Sequence, residues 1–370
     1  MLKHLNITAL IMLLISLCSC EKDKDPVATG DGMVNMVISV KTIDSQLSAL
    51  TRANETYFED PTSRFERIHT LRYIIVRPDG KVEHNYIIDS ESETDYVNYV
   101  SFKVQGGEKK QIYLIANEAS VTGYDFTKFV AGSSFDAAGV EAITLQTQPG
   151  KPLFDNSAEG NQSYLPMAEH FEIEVKMPSP GTDGPTYQYE TLFITRTTVK
   201  FSFSAVVSPV STSDITLKKI VFNQIGDCQY LFPRNTVYDP AKYPADASDR
   251  MITAYEVPQG AVTADVPFEI NWEFPPMNGQ GKTGSPALYF PETMFDGNYT
   301  ATIVVNVDGD DFTYTAQLPN LPSLPRNTHV KIDMVLTGHD VTCIVDVAQY
   351  IGVILKPQFG FEVLHPNQQP

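Results

Sequence analysis

Apolar and polar residues alternate in short runs along most of the chain. Between residues 33 and 43, Val34, Met36, Ile38 and Val40 fall on one side of an extended backbone, with Asn35, Ser39 and Lys41 mostly on the other. A period of two with β-branched residues predicts a half-buried strand. Residues 71–77 and 81–88, joined by Pro78-Asp79-Gly80, predict a hairpin; residues 99–104 and 111–116, joined across Gly106-Gly107, predict a second. Phe171, Ile173 and Val175 alternate with Glu172, Glu174 and Lys176. The run Pro178-Ser179-Pro180-Gly181-Thr182-Asp183-Gly184-Pro185 follows, the clearest linker in the chain and the expected domain boundary. Beyond it, strands are expected over 192–207, 215–223, 267–274 and 330–336, and the strongest hairpin joins 300–307 to 312–318 through Asp308-Gly309-Asp310. Residues 232–249, rich in Pro, Tyr and Asp, read as a long exposed loop, and only residues 124–138 are expected to hold a short helix. The pattern is all-β: two β-sandwiches in tandem, residues 53–180 and 186–370.

The two ends of the chain carry more than a fold. Lys3 and His4 precede an apolar run, residues 5–17, too short for a membrane anchor and read as a secretory signal. It closes on Leu17-Cys18-Ser19-Cys20, which resembles the lipobox of bacterial lipoproteins. That resemblance implies that residues 1–20 are a lipoprotein signal peptide and that Cys20 becomes the acylated first residue. Several acyl chains, at ~0.8 kcal/mol per buried methylene, hold a protein to a bilayer where one does not. Polar residues 21–31 are then a tether. At the other end, Val353, Leu355, Phe359, Phe361 and Val363 share one face, which makes residues 351–364 a candidate donor strand. Pro357 interrupts its run of backbone donors.

Charge and cysteine content narrow the partners. A formal net charge of -18 argues against nucleic acid and against anionic lipid head groups. The acidic run 89–95 reads as a solvated loop. Cys228 and Cys343 are the cysteines outside the signal region, as one disulfide or as two buried thiols.

The first strand has two readings. It is an ordinary strand followed by an ordinary surface Arg, or it is made to be cut away. Leu50-Thr51-Arg52-Ala53-Asn54 follows it without Pro or aromatic residues. Cleavage between Arg52 and Ala53 would make residues 21–52 a tether and removable strand, and would leave an unpaired groove that an extended peptide can fill.

Four motifs, in order, resemble the fimbrillins, the lipoprotein-derived pilins of Bacteroidetes. They are Tyr113-Leu114-Ile115-Ala116-Asn117, Leu165-Pro166-Met167, Arg196-Thr197-Thr198-Val199-Lys200 and Arg326-Asn327-Thr328-His329-Val330. The resemblance implies two transthyretin-like Greek-key sandwiches and a precursor lipidated at Cys20 on the outer membrane. It implies an Arg-specific protease acting after Arg52, and assembly with other fimbrial subunits on the cell surface by strand exchange. The product is a fimbria that supports adhesion and biofilm formation, with a host or microbial surface ligand as a further partner. The amphipathic tail favours a stalk subunit, which needs both groove and donor; Pro357 and Gly360 leave a tip or accessory subunit open.

No motif points to catalysis. Gly-x-Ser-x-Gly, His-Glu-x-x-His, Cys-x-x-Cys and phosphate-cradling loops are missing from the sequence, so the expectation is a non-enzyme without cofactor or metal. Glu169 and His170 are adjacent, which in a strand sends them to opposite faces. Asp308-Gly309-Asp310 reads as a type I′ turn before a calcium site. The alternative reading is a surface lipoprotein that binds glycans without polymerising, through Trp272, Tyr238 and Tyr243.

Overall fold

A computed structural model describes residues 32–42, 64–94, 96–154, 164–178, 185–234, 256–275, 283–284, 287–294, 300–317, 323–324, 326–337 and 340–349. The N-terminal strands are β1 (Met33–Thr42), β2 (Ile68–Val76), β3 (Val82–Thr94), β4 (Tyr96–Gln105), β5 (Glu108–Ala116), β6 (Thr144–Gln146), β7 (Met167–Val175) and β8 (Tyr187–Arg196). Seven of them form one sheet in the order β3-β2-β5-β7-β8-β1-β4. β7 and β8 pair only at Met167 with Arg196 and Ala168 with Thr195, so the sheet folds over at that corner. The folded layers, β3-β2-β5-β7 and β8-β1-β4, enclose a core that includes Val34, Met36, Ile38, Val40, Tyr73, Phe102, Leu114 and Ile194. This is a sandwich built from one sheet.

The β2–β3 hairpin forms as expected. The second expected hairpin does not. β4 pairs with β1, and β5 pairs with β2 and β7. Gly106-Gly107 instead carries the chain from one layer to the other. A Cβ on Gly106 would lie 2.9 Å from the Lys176 carbonyl oxygen, and Gly107 has φ +71, so the crossing requires glycine at both positions. The acidic run also differs from expectation, because β3 continues as strand through Thr94. Each layer's partner choice is a long-range matter that alternation cannot show.

The outer face of β2, β5 and β7 is covered by the segment after Asn117. Val121, Phe126, Phe129, Val140, Ile143 and Leu145 pack there against Ile74, Tyr113 and Ile115. The short helix anticipated nearby falls at Ala137–Glu141, N-capped by the Asp136 side chain. Leu231 and Phe232 join this cluster, so Phe232 is a buried plug and not part of an exposed loop. Residues 235–255 of that expected loop lie outside the described residues.

The C-terminal strands are β9 (Val199–Val207), β10 (Ile215–Gly226), β11 (Cys228–Tyr230), β12 (Thr263–Phe274), β13 (Thr283–Gly284), β14 (Leu288–Phe290), β15 (Thr293–Met294), β16 (Thr300–Val307), β17 (Asp310–Gln317), β18 (Ser323–Leu324), β19 (Thr328–Thr337) and β20 (Asp340–Gln349). The sheet β12-β10-β16-β17 faces the sheet β13-β9-β19-β20, to which β14 adds beside β9. Phe201, Phe203, Phe222, Phe290, Ile303 and Ile332 lie in the core between them. Pro267 sits in β12, an edge strand, where a missing donor is tolerated. The β16–β17 hairpin turns on Asp308 and Gly309, with φ of 51° and 100°, as a type I′ turn requires.

Residues 192–207, expected as one strand, are two. β8 belongs to the N-terminal sheet and β9 to the C-terminal one, with the change of sheet at Thr197-Thr198. Residues 179–184 of the Pro-rich linker lie outside the described residues.

Candidate functional site

The strand β1 holds an unusual place for a first strand. It is internal, parallel to β8 from Asn35–Tyr187 to Thr42–Ile194, and antiparallel to β4 from Met33–Gln105 to Lys41–Tyr96. Val34, Met36, Ile38 and Val40 are each at most 1% exposed. At roughly 1.5–3 kcal/mol per fully buried apolar side chain, these four contribute on the order of 6–12 kcal/mol. That is comparable with the whole stability of an ordinary domain, about 5–15 kcal/mol. Taking β1 out would leave a groove between β8 and β4 with two unpaired backbone edges and four empty sockets.

The N-terminal end of β1 is pinned. The Gly106 and Gln105 Nε2 donors meet the Gly32 carbonyl oxygen at 2.8 and 3.2 Å, and Asn35 N donates to Thr186 at 2.8 Å. Beneath this end, the Lys110 ammonium is fully buried, 2.8 Å from Glu83 and 2.7 Å from Glu108. The Arg77 guanidinium, bonded to Glu108, and then Lys110 hold that carboxyl down to about pKa 2. A lone buried cation is costly, and two carboxylates compensate it here. Glu83 also accepts from Gln105 N, which ties the charged cluster to the strand beside β1.

The four fimbrillin-like motifs have a common structural reason. Asn117 ends β5 in the left-handed region, φ 56°, where Asn is better tolerated than other residues with a Cβ. Its Oδ1 accepts from His69 N at 2.9 Å, and its Nδ2 donates to Arg67 and Leu165 carbonyls at 2.9 and 2.7 Å. Arg196 Nε donates to the Glu66 carbonyl at 3.1 Å, and Thr197 Oγ1 donates to Pro166 at 2.9 Å. Lys200 lies 2.9 Å from the Glu66 carboxylate, which also accepts the Tyr289 hydroxyl at 2.6 Å. Arg326 donates to Glu292 and to the Leu231 and Tyr230 carbonyls. Gln229 bridges Thr197 and Glu292. The motifs therefore converge on one buried polar seam where the N-terminal sheet meets the C-terminal sheets.

Cys20, Arg52, Ala53 and residues 351–364 lie outside the described residues. The structure places the last residue of β1, Thr42, and the 3-10 turn Arg64–Glu66 on either side of the segment 43–63 that contains Arg52. Thr42 pairs with Ile194 and Glu66 bonds to Arg196, so these two flanking residues lie near the same end of β8. Trp272 is half-buried against Phe203 in the second core, with ring centroids 5.6 Å apart, and so is not an exposed platform; Tyr238 and Tyr243 lie outside the described residues. Cys228 is a buried free thiol whose pKa burial pushes up. Glu169 and His170 face opposite sides: Glu169 meets Thr195, and His170 stacks on Tyr113 at 4.2 Å. Among the described residues no group of three or more His, Cys, Asp or Glu is placed to hold a metal ion.

This arrangement of strands has known counterparts. Over 85% of its length the chain superposes on 96% of a candidate cell adhesion protein from Parabacteroides distasonis, with a TM-score of 0.51 and 10% identity. Over 85% it superposes on 99% of the tip fimbrial protein Mfa3 from Porphyromonas gingivalis, solved with a C-terminal truncation, with a TM-score of 0.51 and 11% identity. The chain has their fold. No family model and no curated protein matches the sequence.

Proposed function

We propose that this chain is the precursor of a structural subunit of surface fimbriae. It is exported as an outer-membrane lipoprotein through Cys20 and cut between Arg52 and Ala53 by an Arg-specific protease. It then joins other subunits by strand exchange, and the assembled fimbria supports adhesion and biofilm formation. The observation that carries this reading is the internal position of β1, followed in the chain by Arg52. An edge strand could leave without opening anything, whereas β1 leaves a groove with edges on both sides. The fold shared with a tip fimbrial protein supports the same assignment. The role is structural, without a catalytic step.

The energetics set the order of events. Cutting the chain does not by itself expel a strand whose apolar burial is worth on the order of 6–12 kcal/mol. Replacement by a strand of similar burial exchanges one set of contacts for another, and removal of the covalent link makes the step irreversible. Until then β1 blocks premature assembly. The amphipathic tail 351–364 favours a stalk subunit that gives a strand as well as receiving one.

Arg52→Ala tests the gate. The substituted chain is expected to fold with unchanged stability and to accumulate on cells as a lipidated monomer, seen as loss of high-mass species on denaturing gels of unboiled surface fractions. Polymers of the Arg52→Ala chain would contradict the proposal.

A further inference from the structure

We propose that a bulge in β4 fixes the direction and register of the strand that takes the place of β1. The occupant is an extended segment of another subunit with four large apolar residues at alternate positions and a small residue between the third and fourth. This rests on the reading that β1 is exchanged.

The two walls of the groove differ. Along β8 the pairing runs without a shift from Asn35–Tyr187 to Thr42–Ile194. Along β4, Ile38 faces Val100 but Val40 faces Val97, so Ser39 alone stands against Asn98 and Tyr99. The extra residue belongs to β4 and stays when β1 goes. Bulges of this two-against-one kind form in antiparallel pairs and rarely in parallel ones. An occupant therefore runs antiparallel to β4 and parallel to β8, as β1 does.

Register follows from the residue opposite the bulge. A slip of one residue turns the apolar set outward. A slip of two keeps it inward but brings the residue at position 37 or 41 to the bulge. Ser39 is only 2% exposed although it lies on the outward face, and its hydroxyl is 3.2 Å from Thr191 Oγ1 and 3.5 Å from the Glu190 carbonyl oxygen. A hydroxymethyl group fits there; a Val, Leu or Lys side chain overpacks it. At the entrance, Gly32 has φ +70, and a Cβ on it would lie 2.6 Å from Gln105 Nε2. The occupant thus reads glycine, any residue, then apolar residues at alternate positions, with Ser, Gly or Ala before the last of the four.

The test uses the full chain with a site-specific protease sequence placed in residues 43–63. The chain is cut, unfolded and refolded with equal excesses of three peptides, each carrying a different stable-isotope label so that the two of identical composition also differ in mass. They are residues 32–42 in native order, the same peptide with Ser39→Leu, and the same residues in reversed order. The native peptide is expected in the isolated complex at least tenfold over each variant, counted by mass spectrometry. Equal retention of either variant overturns the assignment of direction or register while leaving strand replacement intact. Retention of none of the three overturns strand replacement, and this proposal with it.

Discussion

Glu169 shows how one residue at the fold-over corner can make stability depend on pH. Burial pushes its carboxyl up to about 7, against the opposing pull of Arg326 and the bonds from His170 N and the Thr195 hydroxyl. A carboxyl with a raised folded-state pKa favours the fold while protonated. Its contribution is fully present below about 4.5 and is lost as pH rises toward 7. Because the side chain is partly exposed, screening reduces the effect to about 1–2 kcal/mol. Glu169→Gln is therefore expected to leave stability at pH 4.5 nearly unchanged and to raise it by about that amount at pH 8, measured by urea denaturation at both values. Residues of this kind were only half legible. The opposite facing of Glu169 and His170 followed from strand geometry, whereas the burial came from a corner between distant strands. Asn117 was visible as the end of a motif, but the bonds it makes to the 67–70 backbone and to Leu165 were not.

At the scale of elements, alternation found most strands and misjudged their partners. β1, the β2–β3 and β16–β17 hairpins, β7 and β19 follow the period of two. The segment that holds β4 and β5 has hairpin chemistry in its glycines, yet the chain uses them to change layers. β8 and β9 read as one strand because both alternate; only the buried Arg196 and Lys200 on either side of Thr197-Thr198 mark the break. The internal place of β1 was also beyond the pattern, since a half-buried strand looks the same at an edge or in the middle. That place has a measurable cost. Ile38→Ala in the uncut chain is expected to lose about 2–5 kcal/mol, as a cavity in a close-packed core does. A loss below ~1 kcal/mol in a urea titration would mean that β1 is only loosely held.

Across the whole molecule, a charged seam joins two apolar cores. Glu66 with Lys200 and Tyr289, and Arg326 with Glu292, are buried ion pairs with further hydrogen bonds. Such pairs add little net stability but penalise any arrangement that breaks them, which favours one relative placement of the cores. Glu66 closes the 3-10 turn that follows residues 43–63, so a chain beginning at Ala53 would keep its hold on the seam while β1 is free to be replaced. The fold class was legible in the sequence because alternation is a local pattern. The seam was visible only as four scattered motifs, because it exists only once distant segments meet. Whether β1 is removed from the working protein is decided by the N-terminal residue of the form recovered from the cell surface. Ala53 as the first residue is the expected result; an acylated Cys20 on the surface-assembled form would contradict it.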